Sequence, residues 1–131
     1  MKVKIGKYKN KKRGQSVKVK LDSWDSWNAD YTLALIIYPV LKQLRKTKHG
    51  WAILDDDDGF NFEERGISAD SKKRWNEVMD AMIWSFKHTV KNKEDKFFKK
   101  GAFDKQGFTE YHARIDRGLV LFGKYYRHLW D

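Results

Sequence analysis

The sequence contains no cysteine and a single proline among its 131 residues. Without cysteine the chain forms neither disulfides nor thiolate zinc sites, and it has no Cys nucleophile. Long hydrophobic runs are also missing, since the longest uncharged apolar stretch, Tyr31 to Leu41, is too short to cross a bilayer. The N-terminus lacks the apolar core of a signal peptide. We therefore expect no membrane partner and a reducing, cytoplasmic compartment.

Acidic residues are missing from the first twenty positions, which carry nine Lys or Arg. The whole chain has 28 basic and 18 acidic residues and a net charge of +10. Subtracting the nine N-terminal cations leaves 19 basic and 18 acidic residues in the remaining chain, which is almost neutral. The positive field therefore comes from the N-terminus, and it favours an anionic partner.

Apolar and basic residues alternate at 2–8 and again at 16–21, the pattern of half-buried strands. Asn10 to Gly14 supplies a turn between them. We predict a β-hairpin over 1–21, with Val3, Ile5, Val17 and Val19 facing inward and the lysines facing water. Two interpretations of the lysines stay open: protection of a sheet edge against aggregation, or contact with phosphate groups. The predicted phosphate or nucleic-acid contacts are Lys7, Lys9, Lys11, Lys12 and Arg13.

Three amphipathic helices are predicted over 28–49, 70–92 and 108–130, because apolar residues recur there every three or four positions. The predicted core stripes are Leu33, Ile36, Ile37, Val40, Leu41 and Leu44 in the first helix, Trp75, Val78, Met79, Met82, Ile83 and Phe86 in the second, and Tyr111, Ile115, Leu119, Phe122, Tyr126 and Leu129 in the third. Pro39 should kink the first helix. Gly118 and Gly123 should mark close approaches. The expected fold is α+β and predominantly α: one domain, 1–131, with the hairpin packed on a three-helix bundle.

Several segments, in order, resemble a family of small uncharacterised proteins of tailed bacteriophages. The matching segments are Trp24–Trp27, Thr32–Ile37, Pro39–Leu44, Thr47–Gly50, Arg74–Trp75, Asp80–Phe86, Arg114–Leu119, Leu121–Tyr126 and Leu129–Asp131. The resemblance covers most of residues 21–131. It implies a phage accessory protein acting in the cytoplasm of a bacterial host, and it implies no catalytic residue.

Six tryptophans lie near predicted helix ends or beside polar residues. Aromatic faces stack on nucleobases, and neighbouring cations neutralise phosphate. The opposing interpretation is that tryptophans at helical spacing fill a core. The candidate ligand-binding residues are Trp24, Trp27, Lys48, His49, Arg74, Trp75, Lys124 and Tyr125.

The acidic residues offer only a weak case for a metal. Glu77 and Asp80 share a helix face, and their spacing resembles one half of the metal site of helical nucleotide pyrophosphohydrolases, but the first helix supplies no second half. Asp55 to Asp58 lack the spacing of an EF-hand, and whether they bind a cation stays open. His49, His88, His112 and His128 do not form a zinc spacing. We expect no catalytic residue, no metal and no cofactor.

The leading hypothesis is a non-enzymatic phage accessory protein that binds an anionic ligand. The ligand is a nucleotide, in which case the protein is a counter-defence sponge for a host immune signal, or it is nucleic acid. One alternative is an inhibitor module that docks on an acidic host protein. Another is a Mg²⁺- or Mn²⁺-dependent nucleotide phosphohydrolase. A homodimer is a further hypothesis, motivated by the aromatic faces of the second and third helices.

Overall fold

The computed structural model describes residues 1–7, 14–54 and 69–130, with the side chains of 69 and 70 left aside. The chain divides into two compact units, Met1–Leu33 and Ala34–Asp131. The predicted α+β, predominantly α fold is confirmed. Within the described ranges, no helix combines the length and the apolar character that a bilayer crossing needs.

The first unit begins with an antiparallel hairpin of β1 (Lys2–Ile5) and β2 (Val17–Lys20). The strands end where the alternation ends, and the Gly6 N–H donates to the Ser16 carbonyl at 2.8 Å. The predicted alternation is therefore present. The predicted inward orientation of the apolar side chains is wrong, because Val3, Ile5, Val17 and Val19 are all exposed. A strand pattern specifies two faces, but it does not specify that a partner covers one of them.

A short helix, α1 (Ser23–Trp27), follows the hairpin, between the predicted hairpin and the first predicted helix. The Asp25 carboxylate accepts a hydrogen bond from the Asp22 N–H at 2.8 Å, which satisfies a donor at the start of the helix. The run of Asp and Ser residues therefore caps a helical turn of its own before the next helix begins.

The next helix, α2 (Ala29–Thr47), passes through Pro39 without ending there. Its predicted stripe is partly wrong: Leu33, Ile36 and Val40 are exposed, whereas Ala34 and Leu41 are fully buried. Apolar residues cover more than one side of this helix between Tyr31 and Leu41, so spacing alone does not identify the packed side.

The second unit has its core between α2, α3 (Ala69–Val90) and α4 (Lys105–Tyr125). The stripe predicted for α3 is confirmed, and it supplies half of the buried residues of the core cluster. Its buried members are Trp75, Val78, Met79, Met82 and Phe86, with Ile83 packed against them. Large side chains that are removed from water in this way contribute about 1.5–3 kcal/mol each.

The stripe predicted for α4 and the turn after it is partly confirmed, since Tyr111 is buried and Phe122 and Leu129 pack against the core. Leu119 and Tyr126 are exposed, whereas Gly118, Leu121 and Tyr125 are buried. The helix also begins earlier than predicted, because Asp104 caps it by accepting a hydrogen bond from the Gly107 N–H at 2.9 Å. The close approach expected at Gly118 is confirmed, but Gly123 has open space around it.

A small hairpin separates α3 from α4, where the sequence indicated only a loop. Its strands are β3 (Phe98–Lys99) and β4 (Ala102–Phe103), and the rings of Phe98 and Phe103 stack with centroids 4.7 Å apart. The turn places both Lys100 and Gly101 at positive φ, 52° and 73°. Glycine adopts this conformation readily, whereas lysine does so at a cost.

Candidate functional site

Four lysines share one face of the N-terminal hairpin. The register pairs Lys2 with Lys20 and Lys4 with Lys18, so like charges stand directly opposite each other twice. Side chains at opposed positions lie within about 4.5–5.5 Å at Cβ. We call this surface, formed by Lys2, Lys4, Lys18 and Lys20, the lysine face. All four side chains are exposed.

The acidic residues that adjoin the hairpin are engaged elsewhere. The N-terminal ammonium of Met1 lies 2.9 Å from the Asp25 carboxylate and 3.5 Å from that of Asp22. In the described part of the chain, no carboxylate forms an ion pair with a lysine of the lysine face. As far as the described residues go, this surface therefore presents its positive charge to solvent without a paired carboxylate.

The geometry around Asp25 also sets the protonation of that carboxyl and of the N-terminal amine. The hydrogen bond from the Asp22 N–H, followed by the one from the Met1 ammonium, lowers the pKa of Asp25. The hydrogen bond to Asp25 in turn raises the pKa of the Met1 amine. Both groups stay charged at neutral pH and hold Met1, the residue before β1, against α1.

Of the five residues predicted to contact phosphate, only Lys7 lies within the described residues, where it is exposed just beyond β1. Lys9, Lys11, Lys12 and Arg13 fall outside them. The strand lysines of the lysine face were missing from the predicted contacts. The signal for them was present in the sequence, since strands with period two place all alternate lysines on one side.

A second site lies in the other unit, where three tryptophans and a histidine line one cavity. A cavity of about 210 Å³ is lined by the side chains of Trp51, Trp75, His128 and Trp130, and by Gly50, Ala52 and Ile53. We call it the indole pocket. Trp75, at 2% exposure, forms its floor, while Trp51 and Trp130 are exposed by 44% and 69%.

The indole pocket joins segments that are distant in sequence. It is built by the stretch after α2, the first turns of α3 and the 3₁₀ turn Tyr126–His128 after α4. Of the predicted ligand-binding residues, Trp75 lines it. Tyr125 is buried behind it and packs edge-on against Trp75 at 5.7 Å. Trp51, His128 and Trp130 were not predicted, because only the fold brings them to Trp75.

The other predicted ligand-binding residues adjoin the pocket in sequence or lie in the first unit. Lys48 and His49 precede Gly50, and Arg74 precedes Trp75. The Nζ atom of Lys124 lies 5.5 Å from the centroid of the Tyr125 ring. Trp24 and Trp27 belong to α1, where their rings contact each other at 4.8 Å and both are exposed.

A charged groove runs along α3 and α4. Its lining includes Glu77 and Asp80, together with Trp84, Arg114 and Arg117. The Arg45 guanidinium binds Asp80 through two contacts, at 2.9 and 3.4 Å. The described ranges contain no cluster of three His, Asp or Glu residues that would hold a metal. Glu77 and Asp80 therefore have no third acidic or His ligand there, and Asp55 to Asp58 fall outside the described residues.

Trp84 links this groove to a buried histidine. The Arg114 guanidinium lies 3.9 Å from the centroid of the Trp84 ring, and His88 stacks on the same indole at 3.9 Å. The Nδ1 atom of His88 lies 2.8 Å from the Trp84 carbonyl oxygen, the distance of an N–H donating to it. Burial lowers the pKa of His88, an effect that the bond to the carbonyl opposes and that the nearby cations, including Lys87 and Arg114, reinforce.

No protein-family model matches this chain, and neither the curated proteins nor the solved structures contain a significant match to it.

Proposed function

We propose that this protein binds nucleic acid without catalysing a reaction on it, and that the lysine face makes the phosphate contacts. The observation that carries the proposal is the register of the hairpin, which opposes Lys2 to Lys20 and Lys4 to Lys18. A scattered set of surface lysines would keep the chain soluble equally well. Concentrating them in opposed pairs on one face makes an electrostatic footprint that suits a polyanion.

The energetics of the hairpin support this interpretation. Like charges placed directly opposite each other destabilise a pair of strands. A two-stranded hairpin is itself only marginally stable in water. A row of phosphates would remove the repulsion and would release counterions from the nucleic acid, so binding and hairpin stability reinforce each other.

The cellular setting is part of the same proposal. The resemblance to proteins of tailed bacteriophages supports an accessory role in the cytoplasm of an infected bacterium. In that setting the protein binds phage or host polynucleotides. The alternative small-molecule ligand is a nucleotide signal of host defence.

Binding to a duplex and to a single-stranded oligonucleotide across a series of salt concentrations tests the proposal. The slope of log K against log[salt] is about −0.9 per phosphate neutralised on duplex DNA and about −0.7 on a single strand. Four lysines therefore predict a duplex slope of about −3 to −4, which is a loss of about a hundredfold between 50 and 200 mM salt. A duplex slope near zero, or no binding at 50 mM salt, would contradict the proposal.

A second candidate function is inhibition of an acidic host protein. The observation in its favour is the other side of the hairpin, where Val3, Ile5, Val17 and Val19 are exposed. Protein interfaces combine apolar contacts with a polar rim. The phosphate backbone of a polynucleotide does not require an apolar surface. Capture of partners from bacterial lysate separates the two candidates. A partner retained after complete nuclease treatment favours inhibition, and loss of all partners favours nucleic acid.

A further inference from the structure

We infer that the indole pocket binds one nucleobase of a phosphorylated ligand, with the phosphate held outside at a cationic rim. This site lies in the second unit and uses none of the lysine face. It therefore rests on the nucleotide-binding part of the proposed function and gives it a site, whereas the nucleic-acid proposal depends on different residues.

The chemistry of the walls selects a flat aromatic ligand. Trp51 and Trp130 are exposed beside the buried Trp75, so three indoles border one cavity. Indole faces stack on every nucleobase, because each base offers a π-face of its own. Large rings left in water also lose contacts that a stacked ligand would restore.

The floor of the pocket is held in place before any ligand binds. Trp75 packs edge-on against the buried Tyr125, and the Tyr125 ring also lies 6.0 Å from that of His128. A ring fixed by its neighbours loses little freedom when a ligand stacks on it. The exposed walls are left to adjust to the ligand.

The size of the cavity limits what enters it. Pockets that enclose a drug-sized molecule occupy roughly 300–1,000 Å³. At about 210 Å³, the indole pocket is suited to one ring system rather than a whole nucleotide. A sugar and phosphate attached to an inserted base must therefore stay at the mouth of the cavity.

The basic residues next to the pocket in sequence favour an anion over a cation. In the described ranges, the immediate sequence neighbours of the lining residues include Arg74 and Arg127 and no Asp or Glu, whereas Asp55 and Asp131 fall outside the described residues. Aromatic cages of similar composition bind quaternary ammonium groups. Here the surrounding positive charge would repel such a ligand and attract a phosphate.

Calorimetric titration of the full chain with adenosine 5′-monophosphate tests the inference. We expect saturable 1:1 binding, weaker binding of adenosine, and none of ribose 5-phosphate. Trp130→Ala should weaken binding of the nucleotide about tenfold, because one stacking partner is lost. Trp27→Ala is the matched control, since Trp27 is similarly exposed, at 73% against 69%, and lies in the first unit.

Two further variants keep the outcome clear. Trp51→Ala should repeat the loss, which covers the case in which Trp130→Ala does not fold. Lys4→Gln with Lys18→Gln should leave the affinity for the mononucleotide within about twofold, because the pocket contains neither lysine. The inference is overturned if millimolar nucleotide does not bind, or if Trp130→Ala and Trp27→Ala bind it equally well.

Competition identifies where the base comes from. If an unstructured single-stranded oligonucleotide displaces the mononucleotide and a duplex does not, the pocket accepts an unpaired base of a strand. If neither polymer displaces it, the pocket takes free nucleotides. Both results support a base stacked in the pocket with its phosphate outside.

Discussion

Ser85 on α3 packs so closely against Gly118 on α4 that no side chain fits between them. A Cβ atom built on Gly118 would lie 2.5 Å from the Ala81 carbonyl oxygen and 2.6 Å from the Ser85 Cβ. The Ser85 hydroxyl lies 3.1 Å from the Ala81 carbonyl and 3.2 Å from that of Arg114, so it ties the two helices together. The same crossing fixes the relative positions of Trp84 and Arg114.

Gly118→Ala should therefore destabilise the protein by about 1–3 kcal/mol, because the added methyl group overpacks a helix crossing whose neighbours include backbone. Gly123→Ala is the matched control on the same helix, since nothing lies within 4 Å of its Cβ position. That change should stabilise the protein by up to about 1 kcal/mol through helix propensity. Chemical denaturation measures both, and equal effects would contradict the close packing at Gly118.

His88 should make stability decrease as the pH falls below its ordinary pKa of 6.5. Burial lowers its pKa below the ordinary 6.5, so as the pH falls the unfolded chain takes up the proton before the folded chain does. The free energy of unfolding is therefore highest above pH 6.5 and decreases as the pH falls below that value. The slope of the free energy of unfolding against pH should be smaller in His88→Gln. An unchanged slope in that variant would show that His88 does not carry the effect.

Lys100→Asn should stabilise the small hairpin between α3 and α4. Lys100 has φ 52° and is followed by Gly101 at 73°, the geometry of a turn that favours Asn-Gly. The change should raise the free energy of unfolding by up to about 1 kcal/mol, because asparagine tolerates positive φ better than lysine. Thermal unfolding measures it, with Lys99→Asn in β3 as the control. A decrease in the melting temperature would contradict the turn geometry.

Asp80→Ala should lower stability by no more than about 1 kcal/mol, because its pair with Arg45 is largely exposed. It should also leave the affinities for nucleotide and for nucleic acid unchanged. A panel of nucleotides incubated with Mg²⁺ or Mn²⁺ provides the decisive comparison. Turnover by the wild type that disappears in Asp80→Ala would establish the phosphohydrolase alternative and remove the binding account.

The fold was predictable where one face of an element is clearly apolar. On α3 the apolar residues fall on a single stripe, and the sequence identified the buried set correctly. On α2 and α4 they cover a wider arc, so Leu33, Val40 and Leu119 were assigned to the core although they are exposed. The small residues Ala34 and Gly118 take the packed positions there. Periodicity in the sequence identifies hydrophobic positions, whereas close packing of helices favours residues with small side chains.

The candidate sites were predictable only in part. The lysines of the first twenty residues were visible as a pattern, but their opposed pairing depends on the register of the strands. Trp75 is a predicted ligand-binding residue, and the structure places it in the lining of the indole pocket. Trp51 and Trp130 lie 24 and 55 positions from Trp75, and no local pattern reports a contact over such separations.

The salt dependence of DNA binding by Lys4→Gln with Lys18→Gln tests the central claim most directly. Its matched control is Lys91→Gln with Lys105→Gln, which removes the same charge from exposed lysines outside the lysine face. The account predicts that the hairpin variant loses about two units of slope on duplex DNA, one per phosphate contact, while the control keeps the slope of the wild type. Equal slopes for the two variants would contradict it, because the net charge would then matter and the lysine face would not.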